Sequence, residues 1–453
     1  MRKTLYRFAA VALVAPVLLS GCSSTTNSAA PSVTAPASTP ASSGASSSAT
    51  SQATLGPKIT LTYWTHTFGP MNDENKTLIA QYEQQNPNIT VDYSVIPNDQ
   101  FFTKMLTAMS TGTGPDVFNM SSTYIPSYLT SNVVSPVDPS AFGYSSQAEL
   151  QKGWASGAFN LVTNSGQVYG IPDEYDVSAL AINKAQFVAA GLDPSKPPQT
   201  WADVLLDSQK LVTYKNGQIT HRGFDFYYLP NFYWLDFANL SLQYGGHLLS
   251  ADGTKSAINS PENTLALQWW SDWVYKYKLG GPQYSLKDAT NPVSDFTSGS
   301  VSMFMVYPWA VSAIQQSPVW KDTEIVPMPQ VNPANPVTHV YGYFWMVNKA
   351  STQQAAAWKF VNYLSSQPDQ WLTKAGYIQP KNGWTTSAAA KNFPFLDVWL
   401  KSEAEAQPGE SSTKMPQIRS VLQTTIETIV SNGTAPAQAL GQADGQINTA
   451  LQP

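Results

Sequence analysis

The sequence predicts an α/β fold built as two domains, and three observations carry that reading. First, strand-like alternation gives way to helical spacing and back again through residues 59–120, in the order β-α-β-α-β. Second, the stretch from residue 58 to residue 453 is 396 residues long, more than one usual core holds. Third, Tyr169-Gly170-Ile171-Pro172 breaks the pattern, and a new apolar run, S-A-L-A-I-N, begins at 178.

Taken in order, the chain starts with Arg2, Lys3 and Arg7, followed by an apolar run from Phe8 to Leu19 that contains Pro16. That run is too short and too interrupted for a comfortable membrane span, and it reads as a secretory signal over residues 1–21. Cys22, the only cysteine, follows Leu19-Ser20-Gly21. The segment resembles bacterial lipoprotein signals, which implies a diacylglycerol on Cys22 and an anchor in membrane lipid. A plain signal peptide with a chance cysteine is the alternative. Residues 22–57 are nearly all Ser, Thr, Ala, Pro, Asn and Gly and carry no charge, so they are expected to be a disordered leash.

Within the body, Ile59, Leu61 and Tyr63 alternate as in a strand, and Leu78, Ile79 and Tyr82 recur as in a helix that Pro87 ends. Ile89, Val91, Tyr93 and Val95 alternate again. Phe102, Met105, Leu106 and Met109 return to helical spacing, and D-V-F-N-M at 116–120 is a short buried strand. Further on, Trp201, Val204, Leu205 and Leu211 share one helical face. Ser260 before Pro261 marks a helix start, with Leu265, Trp269 and Trp273 as its stripe. V-S-M-F-M-V at 301–306 is another buried strand. Ser351 with Gln354 reads as a capping box for a helix through Leu364, and helix and loops follow from about 383.

Composition narrows the function. Without Arg2, Lys3 and Arg7 the chain holds 22 basic residues against 30 acidic ones, and its arginines are few. That balance argues against nucleic acid as a partner. No disulfide is possible within the body. Fourteen Trp and 22 Tyr exceed what a core needs and suggest a surface that stacks on something flat and polar.

Several segments, in order, resemble the extracellular solute-binding proteins of carbohydrate ABC importers, the family that includes maltose-binding protein. They are N-P-N-I-T-V at 86–91, F-F-T-K-M-L-T-A-M-S-T-G-T-G-P-D-V-F at 101–118, S-G-Q-V-Y-G-I-P at 165–172 and S-A-L-A-I-N-K-A-Q-F-V-A-A-G-L-D-P at 178–194. F-T-S-G-S-V-S-M-F-M-V-Y-P-W at 296–309, A-A-A-W-K-F-V-N-Y-L-S-S-Q-P-D-Q at 355–370 and G-Y-I-Q-P-K at 376–381 complete the set. The resemblance implies a two-lobed periplasmic-binding-protein-like fold with a hinge and an interlobe cleft. The first lobe would hold 58–172 plus 308–370, and the second 173–307 plus 371–453. It implies a monomer, tethered outside the cytoplasmic membrane, that hands a mono- or oligosaccharide to ABC permease subunits in the membrane.

Sugar recognition needs aromatic rings against the apolar face of the ring and polar groups around its rim. The ligand-binding candidates are residues of both kinds near expected strand ends and crossings. Trp64 and His66 follow the first strand, and Tyr124 lies beyond the third. Glu174 and Tyr175 follow the crossing proline, with Asp173 and Asp176 beside them. Tyr233 and Trp234 stand in the densest aromatic run, F-D-F-Y-Y-L-P-N-F-Y-W-L at 224–235. Trp309 sits at the second crossing, where Tyr307-Pro308 departs from the glycine-rich form common in the resembled family. Tyr343 and Trp345 come from H-V-Y-G-Y-F-W-M-V at 339–347. For each, packing in a core is the competing explanation. Asp116 reads as structural.

No catalytic residue, metal site or cofactor is expected. There is no G-x-S-x-G, H-E-x-x-H or G-x-x-x-x-G-K-[ST], and the four histidines, at 66, 221, 247 and 339, are dispersed. A surface carbohydrate-binding or sensory protein is the alternative from another class. A secreted glycoside hydrolase is disfavoured, because adjacent carboxyls at 173, 174 and 176 do not give the separation across a glycosidic bond that hydrolysis needs.

Overall fold

The computed structural model describes residues 57–229, 232–281 and 291–452; the signal segment, Cys22 and the leash lie outside them. The first unit is the expected alternation: β1 (Ile59–His66), α1 (Gly69–Gln85), β2 (Ile89–Ile96), α2 (Asn98–Thr111) and β3 (Val117–Ser121). β1 pairs in parallel with both β2 and β3. Two strands from far along the chain complete this sheet. β4 (Ile171–Val177) pairs antiparallel with β10 (Thr338–Val347), which pairs antiparallel with β3 and parallel with β11 (Ala406–Pro408). The strand order is β11-β10-β3-β1-β2, with β4 on β10.

One residue, Ser178, separates β4 from β5 (Ala179–Asn183), which belongs to a second mixed sheet. α3 (Trp201–Leu211) leads to β6 (Thr213–Lys215), β7 (Gln218–Phe224), α4 (Tyr233–Tyr244) and α5 (Pro261–Tyr275). β8 (Val301–Val306) and β9 (Thr323–Val326) finish the sheet in the order β9-β5-β8-β7-β6. Each sheet carries helices and its own buried core. The first core includes Tyr63, Phe360 and Trp358 on α6 (Gln354–Ser365) and Trp371 on α7 (Pro368–Ala375). The second gathers Phe226, Trp270 and Trp273 with Ile418 and Ile426 of α8 (Met415–Asn432) and Leu440 of α9 (Pro436–Leu451). This is the two-lobed α/β arrangement the sequence predicts.

Two local expectations are corrected. The stripe of α5 is rotated: Leu265 is 54% exposed, and Ala266, Leu267, Trp270, Trp273 and Val274 are buried instead. Ser351 forms no capping box with Gln354; its hydroxyl donates to Asp116 Oδ1 and accepts from the Gln353 N–H, and α6 starts after Gln353 without a side-chain cap. The capping box lies elsewhere, between Thr200 and Asp203 at the start of α3. By strand pairing β9 lies in the second sheet and β4 and β11 in the first, and Trp371 and Tyr377 pack in the first core.

Candidate ligand-binding site

A cavity with about 90 Å³ of water-accessible space lies between the two sheets. From the first side it is lined by His66, Thr67 and Phe68 after β1, Asn98 and Phe102 at the start of α2, and Ser121 and Tyr124 at the end of β3. These are carboxyl ends of parallel strands and the segments that follow them, the usual ligand face of an α/β sheet. Glu174 on β4 and Tyr341 and Tyr343 on β10 form its floor, with Tyr377 beyond α7. The far side is Phe232, Trp234 and Leu235 at the start of α4, Trp309 after β8, and Arg419 on α8.

The rings are fixed by one another. Tyr343 stacks on His66 at 4.8 Å between centroids, and Phe102 on Tyr124 at 4.2 Å. Trp309 lies parallel to Tyr307 at 5.9 Å, and its Nε1 donates to the Tyr341 hydroxyl at 2.8 Å. Gly342 lets the floor close: a Cβ there would sit 2.3 Å from the Glu174 carbonyl oxygen. The Arg419 guanidinium lies 3.5 Å from the centre of the Trp234 ring, a cation–π contact.

The polar atoms are less settled than the rings. His66 Nδ1, Glu174 Oε2 and Arg419 Nε are buried and have no hydrogen-bond partner within the described residues. Orphans of this kind are rare in native proteins and call for an explanation. Burial lowers the His66 pKa to about 4, so its ring is neutral at neutral pH. Burial raises the Glu174 carboxyl well above the usual range, and Asp176 and Asp173 raise it further. Asp173 rises to about 8, again by burial, against a hydrogen bond from Asn119. Burial brings Arg419 down to about 10, which leaves it charged at neutral pH. The cavity therefore presents stacked rings, a neutral imidazole, a carboxyl whose pKa burial raises, and one cation. It has no nucleophile beside a base.

Of the ten expected contact residues, His66, Tyr124, Glu174, Trp234, Trp309 and Tyr343 converge on this cavity. Four do not. Trp64 is on the same face of β1 as His66 but one pleat earlier; Lys104 covers its ring at 5.2 Å, and it borders an outer hollow. Tyr175 points away from Glu174, and its backbone N–H donates to the Ile378 carbonyl. Tyr233 packs near Trp270 and borders a groove further out, between α2 and α8. Trp345 is fully buried in the first core, where its Nε1 donates to Tyr63 Oη at 3.1 Å. Sequence reasoning missed Phe68, Phe102, Tyr341, Tyr377 and Arg419. Only Arg419 carried a signal, as one of two arginines in residues 58–453. Asp116 is structural, accepting from the backbone and hydroxyl of Thr62 and from Ser351.

Comparison with known proteins follows this geometry. The chain is 24% identical to a binding protein of Brucella abortus over 261 residues, 57% of this chain and 59% of that one. It is 22% identical over 428 residues to the sn-glycerol-3-phosphate-binding periplasmic protein of Salmonella typhimurium, covering 87% of this chain and 92% of the relative. Among solved structures it is similar in fold to an ABC transporter solute-binding protein of Thermotoga lettingae bound with α-D-tagatose. That likeness has a TM-score of 0.78 and 22% identity, over 87% of this chain and 100% of the other. The family described as bacterial extracellular solute-binding protein matches residues 71–371. The chain belongs to that family.

Proposed function

We propose that this protein captures a sugar or oligosaccharide outside the cytoplasmic membrane and presents it to an ABC permease. The observation that carries the proposal is the convergence of partnerless polar atoms from both sides of a ring-lined cavity: His66 and Glu174 on the first side, Arg419 on the second. A ligand rich in hydroxyls can accept from Arg419, exchange hydrogen bonds with Glu174 and His66, and lay its C–H face on Trp309 or Trp234. Bound in this way it would bridge the two lobes and favour the closed arrangement. In this reading the first lobe holds 58–172 plus 308–370 and the second 173–307 plus 371–453. Cys22 would carry the lipid anchor; incorporation of labelled fatty acid that persists in Cys22→Ser would refute this.

Arg419 also supports a second reading, a phosphorylated polyol, since a guanidinium pairs well with phosphate. The Salmonella relative takes sn-glycerol 3-phosphate by name. One experiment separates the two. Calorimetric titration with mono- and oligosaccharides, tagatose and sn-glycerol 3-phosphate is run beside small-angle scattering of the same mixtures. The expected result is heat with a saccharide and a smaller radius of gyration in its presence. Heat with the phosphate alone selects the second reading. No heat and unchanged scattering with every compound would remove both.

A further inference from the structure

A second chamber of about 150 Å³ lies behind the cavity. The stacked pair Trp234 and Arg419 is the wall common to both. Phe237, Leu242, Leu248, Met415 and Leu422 make most of its surface. Its polar side chains are largely engaged elsewhere. Ser241 donates to Asn263 Oδ1 at 2.6 Å. Glu410 accepts from the backbone N–H groups of Leu248 and Leu249 and contacts His247 Nδ1. The Thr123 hydroxyl faces Arg419 Nη2 at 3.5 Å. Gln407 sits on the exposed rim. What remains is Arg419 Nε on the shared wall and His339, 3% exposed, whose Nδ1 has no partner within the described residues. The chamber is closed around that ring: a Cβ on Gly409 would lie 2.7 Å from His339 Nε2, so only glycine allows the loop so near.

This lining fixes the chemistry of an occupant. A further sugar ring would bring several hydroxyls into a mostly apolar space whose buried partnerless side-chain atoms are His339 Nδ1 and Arg419 Nε, and each unpaired hydroxyl would cost affinity. A flat or branched apolar group with few polar atoms fits. Trp234 and Arg419 line both spaces, so the chamber adjoins the first cavity and a group linked to a sugar there lies within reach of it. We propose that the second chamber binds the apolar, non-sugar end of a glycoside whose sugar fills the first; this rests on the sugar-binding reading above.

The test uses the full chain and matched pairs of methyl and phenyl glycosides of each sugar that gives heat. The phenyl compound should bind roughly 10-fold tighter or more. Ala238→Phe and, separately, Leu242→Trp fill the chamber; each should bring the phenyl affinity down to that of the methyl compound and leave the methyl affinity unchanged. Equal affinities in the unmodified protein overturn the inference and leave the sugar reading standing. A phenyl preference that survives in a folded filling variant also overturns it, by locating the ring elsewhere. If no glycoside binds, both readings fall.

Discussion

The two arginines in residues 58–453 are both largely withdrawn from water, and their surroundings differ completely. Arg222, in the second lobe, meets Asp225 at 2.9 Å and Asp295 at 2.7 Å. Burial pulls its pKa down, but the two carboxylates outweigh that and leave it raised. Arg419, at the cavity, has no carboxylate within ion-pair distance among the described residues, and lies on Trp234 with its pKa lowered by burial. A charge placed to hold a fold comes with its counter-charges. A charge placed to meet something else is left with a ring beneath it and an open Nε.

The largest effect should come from Arg222→Met. It strands Asp225 and Asp295, and breaking a buried pair in this way costs about 3–5 kcal/mol. Thermal unfolding should fall steeply, while ligand affinity of the molecules still folded stays as it was. Arg419→Met should do the reverse: unfolding stability within about 1 kcal/mol of the parent, because a costly lone charge is gone, and saccharide affinity about 10- to 100-fold weaker. If calorimetry and thermal melts showed both variants losing stability alike, the contrast between the sites would collapse.

The smallest effect concerns Asp173, whose buried carboxyl accepts from Asn119. Burial raises Asp173 to about 8, against about 3.9 in an unfolded chain. The folded form keeps this proton longer, so the stability the group contributes is full below about pH 4 and is lost as pH climbs towards 8. Asp173→Asn should show a flatter profile over that range and gain on the parent at pH 8 by on the order of 1–3 kcal/mol. Parallel profiles would mean that Asp173 is already ionised in the fold.

The first strands were legible because β1 and β2 alternate clearly and β3 is a short apolar run after a turn. Helix faces were less so. Residues spaced by four drift about 40° around a helix at each step, so a stripe drawn from 265 to 273 leaves the core at one end, and Leu265 is that end. The same gap explains the site. Tyr341, Tyr343 and Trp345 share one face of β10, and only depth along the strand, with the register shift after Tyr343, separates cavity from core. Alternation reports a face and not a depth. Arg419 was illegible for another reason: α8 reaches the cavity only because it packs against α4 and α5, a meeting decided by tertiary structure.

The single residue between β4 and β5 has a mechanical consequence. Consecutive Cα atoms are about 3.8 Å apart, so Ser178 gives the halves almost no slack where it joins them. Its hydroxyl is also tied to Asn239 at 2.7 Å. A rearrangement of the two sheets that passed through this joint would turn about it and would open no gap there; its natural coordinate would be an angle and not a displacement.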